Sequence, residues 1–320
     1  MNPRRERKRR RVEATGSALA APRWWPTWIG LGLLWTTTRL PRGLQRRLGH
    51  GLGYLIYAVA ASRRRVVRTN LRICFPKLSD RERGRLMRAH FAFMGHSMLE
   101  LAFGWWGPVH RLRALGRYKG LENLRAAHAR GRGVILLQGH FLTTDIAGQI
   151  LGMDVPFTAT YSPPRNPVMR TLTERFRGRF VRRQIHHQEV RAIIRALSDN
   201  EIIWHGPDQG AKKGKGIDAK FFGRLAATNT STAKLARISG APVVPYHPVQ
   251  LPDGTYELRF EPALEDFPGP DIAAATQRVN DTIERQIRDA PEQYLWAHKR
   301  FRRRDQRGTG SPYKRKKKNR

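Results

Sequence analysis

Along the chain, apolar positions come first as long stretches and then, from about residue 130, as short runs alternating with amphipathic segments. The residues from Trp24 to Thr38 carry no charge, are bounded by Arg23 and Arg39, and include Trp24, Trp25, Trp28 and Trp35. A perpendicular bilayer span wants roughly 20 apolar residues. The stretch therefore predicts a short or tilted span, or a segment lying in the membrane interface with its tryptophans at headgroup depth. A buried core helix is the competing reading, and four tryptophans beside arginine clusters weigh against it. Arg23 interrupts the junction between the small residues Ala18 to Ala21 and the apolar run, so an uncleaved anchor is expected, not a cleavable signal peptide. A second apolar stretch, Leu48 to Ala61, runs into Arg63-Arg64-Arg65. It is too short to cross a bilayer unaided, Gly49, Gly51 and Gly53 lower its helix propensity, and packing against the first stretch is its expected role.

Residues 79–103 predict an amphipathic helix, with Ser79 as cap, Glu82 three positions on, and Met87, Phe91, Met94, Met98 and Leu101 at steps of three and four. Trp105-Trp106-Gly107-Pro108 ends it. Beyond residue 130, Val134–Leu137, Ile202–Trp204 and Pro242–Tyr246 read as strands, with helical segments at about 167–180, 188–198, 228–239 and 271–289. Strands alternating with helices predict an α/β fold, whose chemistry sits in loops at the carboxyl ends of the strands.

Charge then changes the picture. The chain has 61 Lys and Arg against 25 Asp and Glu, a net charge of +36. Residues 1–12 account for +6 and residues 299–320 for +11, which leaves +19 on the body. The partners should be anionic. Cys74 is the single cysteine, so no internal disulfide can form, and it is expected to be structural. No Cys/His spacing fits a zinc site and no glycine-rich run fits a phosphate loop, so neither metal nor nucleotide chemistry has support.

The strand at 134–137 is followed by Gln138-Gly139-His140, with Asp145 five residues after the histidine. On one continuous helix five residues turn about 500°, which sets the two side chains roughly 140° apart. They can meet only if His140 lies on the strand-to-helix turn and Asp145 in the opening turns of the helix. The carboxylate then fixes the imidazole tautomer, and His140 can take a proton from an attacking hydroxyl. A chain of this composition offers about one His-x4-acid match by chance, so the strand-end context carries the reading. A structural histidine near a helix start is the competing one. Asp208, in Trp204-His205-Gly206-Pro207-Asp208, leaves the end of another strand and either orients a partner or is a turn residue. Arg170, Arg175, Arg177 and Arg179 are candidates to receive phosphate, with a solvated helix face as the competing reading for most of them.

From Trp24 to about Arg304 the chain resembles the late acyltransferases of lipid A assembly in Gram-negative bacteria. The matching pieces are Trp28-Ile29-Gly30-Leu31-Gly32, Asn70-Leu71-Arg72-Ile73-Cys74-Phe75-Pro76, His140-Phe141-Leu142-Thr143, Asn166-Pro167, Glu201-Ile202-Ile203-Trp204 with Pro207-Asp208, and Ala290-Pro291-Glu292-Gln293-Tyr294-Leu295-Trp296. The resemblance implies a mixed sheet flanked by helices, like the glycerolipid acyltransferases, after an N-terminal membrane-anchoring segment. It implies transfer of a fatty acyl chain, lauroyl foremost, from acyl carrier protein to a hydroxyl of the Kdo2-lipid IVA precursor. His140 and Asp145 would be the catalytic dyad and Arg177 and Asp208 would bind substrate, with no metal and no cofactor beyond the carrier thioester. Two departures stand out: the family pattern has Glu where Asp145 stands, and a His-Asp pair where Gln209-Gly210 stands.

The expected organisation is a basic arm at 1–22, an anchoring segment at 23–62, an acyltransferase domain at 63–304 and a basic tail at 305–320. The expected partners are acyl carrier protein, the anionic lipid A precursor and lipids of the inner membrane, with the catalytic domain on its cytoplasmic face. Transfer of a myristoyl or palmitoleoyl chain, or to another glycolipid or glycerolipid, is the alternative within the same chemistry. Arginine-rich arms also suggest nucleic acid, but no nucleic-acid module accompanies them and no such partner is expected.

Overall fold

A computed structural model describes residues 16–211, 216–302 and 311–313. It explains why the apolar run at 134–137 is continuous. Ile135 and Leu137 point into one core, Val134 and Leu136 into another, and a strand covered on both faces needs apolar residues at every position. The strands are β1 (Gly116–Lys119), β2 (Val134–Leu137), β3 (Thr158–Tyr161), β4 (Arg183–His186), β5 (Ile202–His205), β6 (Ile217–Phe221), β7 (Arg224–Thr228), β8 (Val243–Gln250) and β9 (Tyr256–Phe260). Seven form one sheet in the order β1-β9-β8-β2-β5-β3-β4, and β6 and β7 form a separate hairpin. Every neighbouring pair in the large sheet is parallel except β8 with β9, so the sheet is mixed and predominantly parallel. The three runs read as strands are β2, β5 and the first half of β8. Strands such as β4 lacked an apolar run because they lie at an edge, where half the positions face water.

The longer helices are α1 (Trp25–Thr37), α2 (Arg42–Val59), α3 (Ala61–Cys74), α4 (Asp80–Trp106), α5 (Leu121–His128), α6 (Thr144–Gly152), α7 (Pro167–Arg177), α8 (Val190–Ser198), α9 (Ser231–Ser239) and α10 (Ile272–Asp289). One face of the sheet is covered by α3, α4, α8, α9 and α10, which share a core with Ile135, Leu137, Ile203 and Val243. The other is covered by α5 and α6, against Val134, Leu136, Ile202 and Val244. The capping box before α4 is present: the Ser79 side chain accepts from the Glu82 amide while the Glu82 carboxylate accepts from that of Ser79. Met87 and Phe91 are buried, whereas Met98 turns outward.

The N-terminal segment bears on one expectation and corrects another. Among the described residues no helix is long and apolar enough to cross a membrane. The 13 residues of α1 rise only about 20 Å against a hydrocarbon core of about 30 Å. The second apolar stretch packs on α4, not on the first. Gly49 and Gly53 of α2 and Gly95 of α4 form the crossing, and a Cβ added at Gly53 would lie 2.1 Å from the Phe91 carbonyl oxygen. The glycines that lowered helix propensity are there to let two backbones touch.

Most of the expected basic arm (1–15) and of the expected tail (303–310 and 314–320) lies outside the described residues. Within the tail, Tyr313 is buried, its hydroxyl donating to Asn70 Oδ1 at 2.5 Å and accepting from the Phe301 amide.

Candidate active site

The register of β2 with β5 pairs Leu137 with His205, so the segments that follow, Gln138–His140 and Gly206–Asp208, leave the sheet together at its carboxyl edge. That alignment brings His140 and Asp208 into contact across 68 residues of sequence. His140 Nδ1 lies 2.5 Å from Asp208 Oδ1, and the His140 amide donates to Oδ2 at 3.0 Å. Tyr294 adds a third donor, its hydroxyl 2.7 Å from Oδ2. Its neighbour Leu295 donates its amide to the His140 carbonyl at 3.0 Å, and the Leu142 amide donates to the Gln293 carbonyl. The Ala290–Trp296 segment therefore pins the His140 turn from outside the sheet.

Gly206 completes the seat. A Cβ there would stand 2.8 Å from His140 Cε1, so only a glycine lets the ring lie against the β5 loop. Trp204 meets the imidazole edge-on at 5.9 Å and donates its indole N–H to Gln138 Oε1, which steadies the strand end. The His140 side chain is 28% exposed while Asp208 is 1% exposed. The imidazole thus has one side open to solvent and one nitrogen sealed against Asp208.

Electrostatics fix the tautomer. Burial works against the Asp208 charge, yet the neighbouring His140 and three donated hydrogen bonds hold its carboxyl well below the ordinary range. An ionised carboxylate can only accept, so Nδ1 carries the proton and Nε2 keeps its lone pair. Burial would depress the His140 pKa, but the Asp208 charge and hydrogen bond outweigh it and leave it above 6.5. Burial drives His205 down to about 4, so that ring is neutral beside the pair.

Asp145 is not the carboxylate on His140. It lies in the first turn of α6, where the Arg177 guanidinium holds it, with Nε at 2.7 Å and Nη2 at 2.6 Å from Oδ1. Both are about a third exposed, and both charges act on His140 from beside it, Arg177 lowering and Asp145 raising its pKa. The expected His140–Asp145 bond is replaced by His140–Asp208, and Asp208, expected to bind substrate, is sealed under the histidine. The four expected site residues are together at one rim, but in different pairs. Tyr294 and Gly206 were missed as site residues, although the Ala290–Trp296 run was marked as a matching piece. Cys74 is buried and its thiol is pushed well up by burial, which fits a structural role. No cluster of metal-ligating side chains occurs among the described residues.

This arrangement can abstract a proton: a buried carboxylate orients an imidazole whose free nitrogen faces solvent. Residues 14–303 match the family model for bacterial lipid A biosynthesis acyltransferases. The chain is 34% identical over 299 residues to the lipid A biosynthesis lauroyltransferase of Escherichia coli K12, covering 93% of this chain and 97% of that protein. It is 35% identical over 282 residues to the palmitoleoyltransferase of the same strain, covering 88% and 92%. The myristoyltransferase of that strain is 28% identical over 310 residues, covering 92% of each.

Proposed function

The chain belongs to the bacterial lipid A biosynthesis acyltransferases, and from that premise we propose that it moves a lauroyl group from acyl carrier protein to a hydroxyl of Kdo2-lipid IVA. The clamp on His140 carries the mechanism, because it leaves one basic nitrogen, Nε2, aimed out of the protein. Nε2 takes the acceptor's hydroxyl proton as that oxygen attacks the thioester carbonyl. The C–O bond forms, the C–S bond breaks, and the departing thiolate of the carrier arm takes the proton back from the imidazolium. Asp208 positions the ring and offsets the imidazolium charge formed during attack. Arg177, held by Asp145, supplies a cation beside the reacting centre for the developing oxyanion or an anionic substrate group. No acyl-enzyme and no cofactor is needed.

The site of work would be the cytoplasmic face of the inner membrane. Trp25, Ile29 and Leu33 form an exposed stripe at steps of four along α1, and Leu44, Leu48, Leu55 and Val59 continue exposed apolar surface along α2. An interfacial docking face fits helices that are not long and apolar enough to span, and the basic body suits an anionic leaflet.

The test incubates the purified protein with lauroyl carrier protein and Kdo2-lipid IVA and weighs the product. One added lauroyl group is expected, and no product from any acyl carrier protein would reject the reading. Relatives carry lauroyl, palmitoleoyl and myristoyl names, and each methylene is worth only about 0.8 kcal/mol, so a donor series in the same assay decides the chain.

A further inference from the structure

The arginines of α7 fall into different situations. Arg177 is taken by Asp145, Arg179 just beyond the helix donates to the Trp105 carbonyl, and Arg175 points into solvent. Arg170 is different. It is partly buried, its Nε is shut away from water without a partner, and among the described residues its side chain makes no hydrogen bond or ion pair. Glu174, the acid one turn on, accepts from the Tyr161 hydroxyl instead. Only its Nε is shut away; the two outer nitrogens are not, and an anion docking on them would give the guanidinium the acceptor it lacks.

Its position points to the anion. Arg170 and Arg177 are seven residues apart, hence on one helix face and about 10 Å apart along the axis. The charge of Arg170 acts on Tyr161, which leaves β3 at the level of Gly206 given the register of Ala159 with Trp204. Gly206 backs the His140 ring, so Arg170 lies along the same rim as the base. The start of α7 is also tied to the apolar N-terminal layer: Asn166 caps the helix and donates to Thr27 of α1, and Val168 packs with Leu31. Arg170 thus stands between the catalytic histidine and the helix whose outer stripe is apolar. An anion arriving there is carried by a lipid, whereas a water-borne donor has no need of that side.

We propose that Arg170 seats a phosphate monoester of the lipid acceptor and thereby sets which hydroxyl reaches His140. The proposal rests on the acyl-transfer reading but is tested by binding, so the two fail separately. Detergent-dispersed Kdo2-lipid IVA and its phosphatase-treated form are titrated against wild type, Arg170→Met, Arg170→Lys and the exposed control Arg175→Met. Wild type should prefer the phosphorylated lipid, and Arg170→Met should lose about tenfold or more of that preference, the size of a charged hydrogen bond. Arg170→Lys should fall between, Arg175→Met should match wild type, and acyl carrier protein should bind all four equally. An unchanged preference in Arg170→Met, or a loss that appears in carrier binding instead, overturns the assignment. A wild type that binds with this preference yet transfers nothing would reject the reaction and leave the seat standing.

Discussion

His140 is set by what Asp208 does to it. A general base works deprotonated, so the transfer rate should rise with pH through a midpoint above 6.5, because the Asp208 charge and hydrogen bond outweigh the burial that pulls the pKa down. Asp208→Asn removes the raising influence and keeps the burial, so the midpoint should move to lower pH while the plateau rate falls by about 10²–10⁴. An unchanged midpoint in the rate–pH profile would contradict the pairing. The same linkage has a stability sign. The protonated pair stabilises the fold below the unfolded histidine pKa of about 6.5, and this contribution is lost as pH rises through the raised folded value. Asp208 itself contributes above its unfolded pKa, and that is lost on acidification through its depressed value. His140 and its strand-end setting were legible in the sequence; its partner was not. Asp145 is near in sequence, and a spacing argument can only find near neighbours, whereas Asp208 arrives through the pairing of β2 with β5.

At the scale of elements, glycine was misread for the same reason. Gly49, Gly51 and Gly53 lowered the helix expectation for residues 48–61, yet Gly53 and Gly95 are what brings α2 and α4 together. Gly53→Ala should raise intrinsic helix propensity but push α2 off α4, destabilising the fold by about 1–3 kcal/mol, read as a shift in urea midpoint. A stabilised variant would mean that the crossing is loose. The apolar stripe of α1 makes a second prediction. Replacing Ile29 and Leu33 by Asp should cut flotation with anionic vesicles by at least tenfold without lowering thermal stability, since both side chains are mostly exposed. A loss of stability instead would make the stripe part of a core. The runs in β2, β5 and the first half of β8 were legible because buried central strands carry unbroken apolar stretches, and the capped periodicity of α4 was legible for its length. The hairpin β6–β7 and the edge strands were not, because their composition matches that of loops.

For the whole molecule, charge and fold act together. A body near +19 surrounds a sheet whose carboxyl edge holds His140 on Asp208, the paired Arg177 and the unpaired Arg170 side chain, with apolar α1 alongside. Fold class and family were readable from patterns repeated along the chain, while the pairing of charges at the rim depends on which strands lie side by side. The central claim is that the His140 imidazole, oriented by Asp208, is the base for acyl transfer. Its direct test is the single-turnover rate of His140→Ala against wild type on vesicles containing the acceptor and lauroyl carrier protein. The account predicts a rate lower by about 10²–10⁴ with vesicle binding unchanged. Transfer by His140→Ala at the wild-type rate would contradict it.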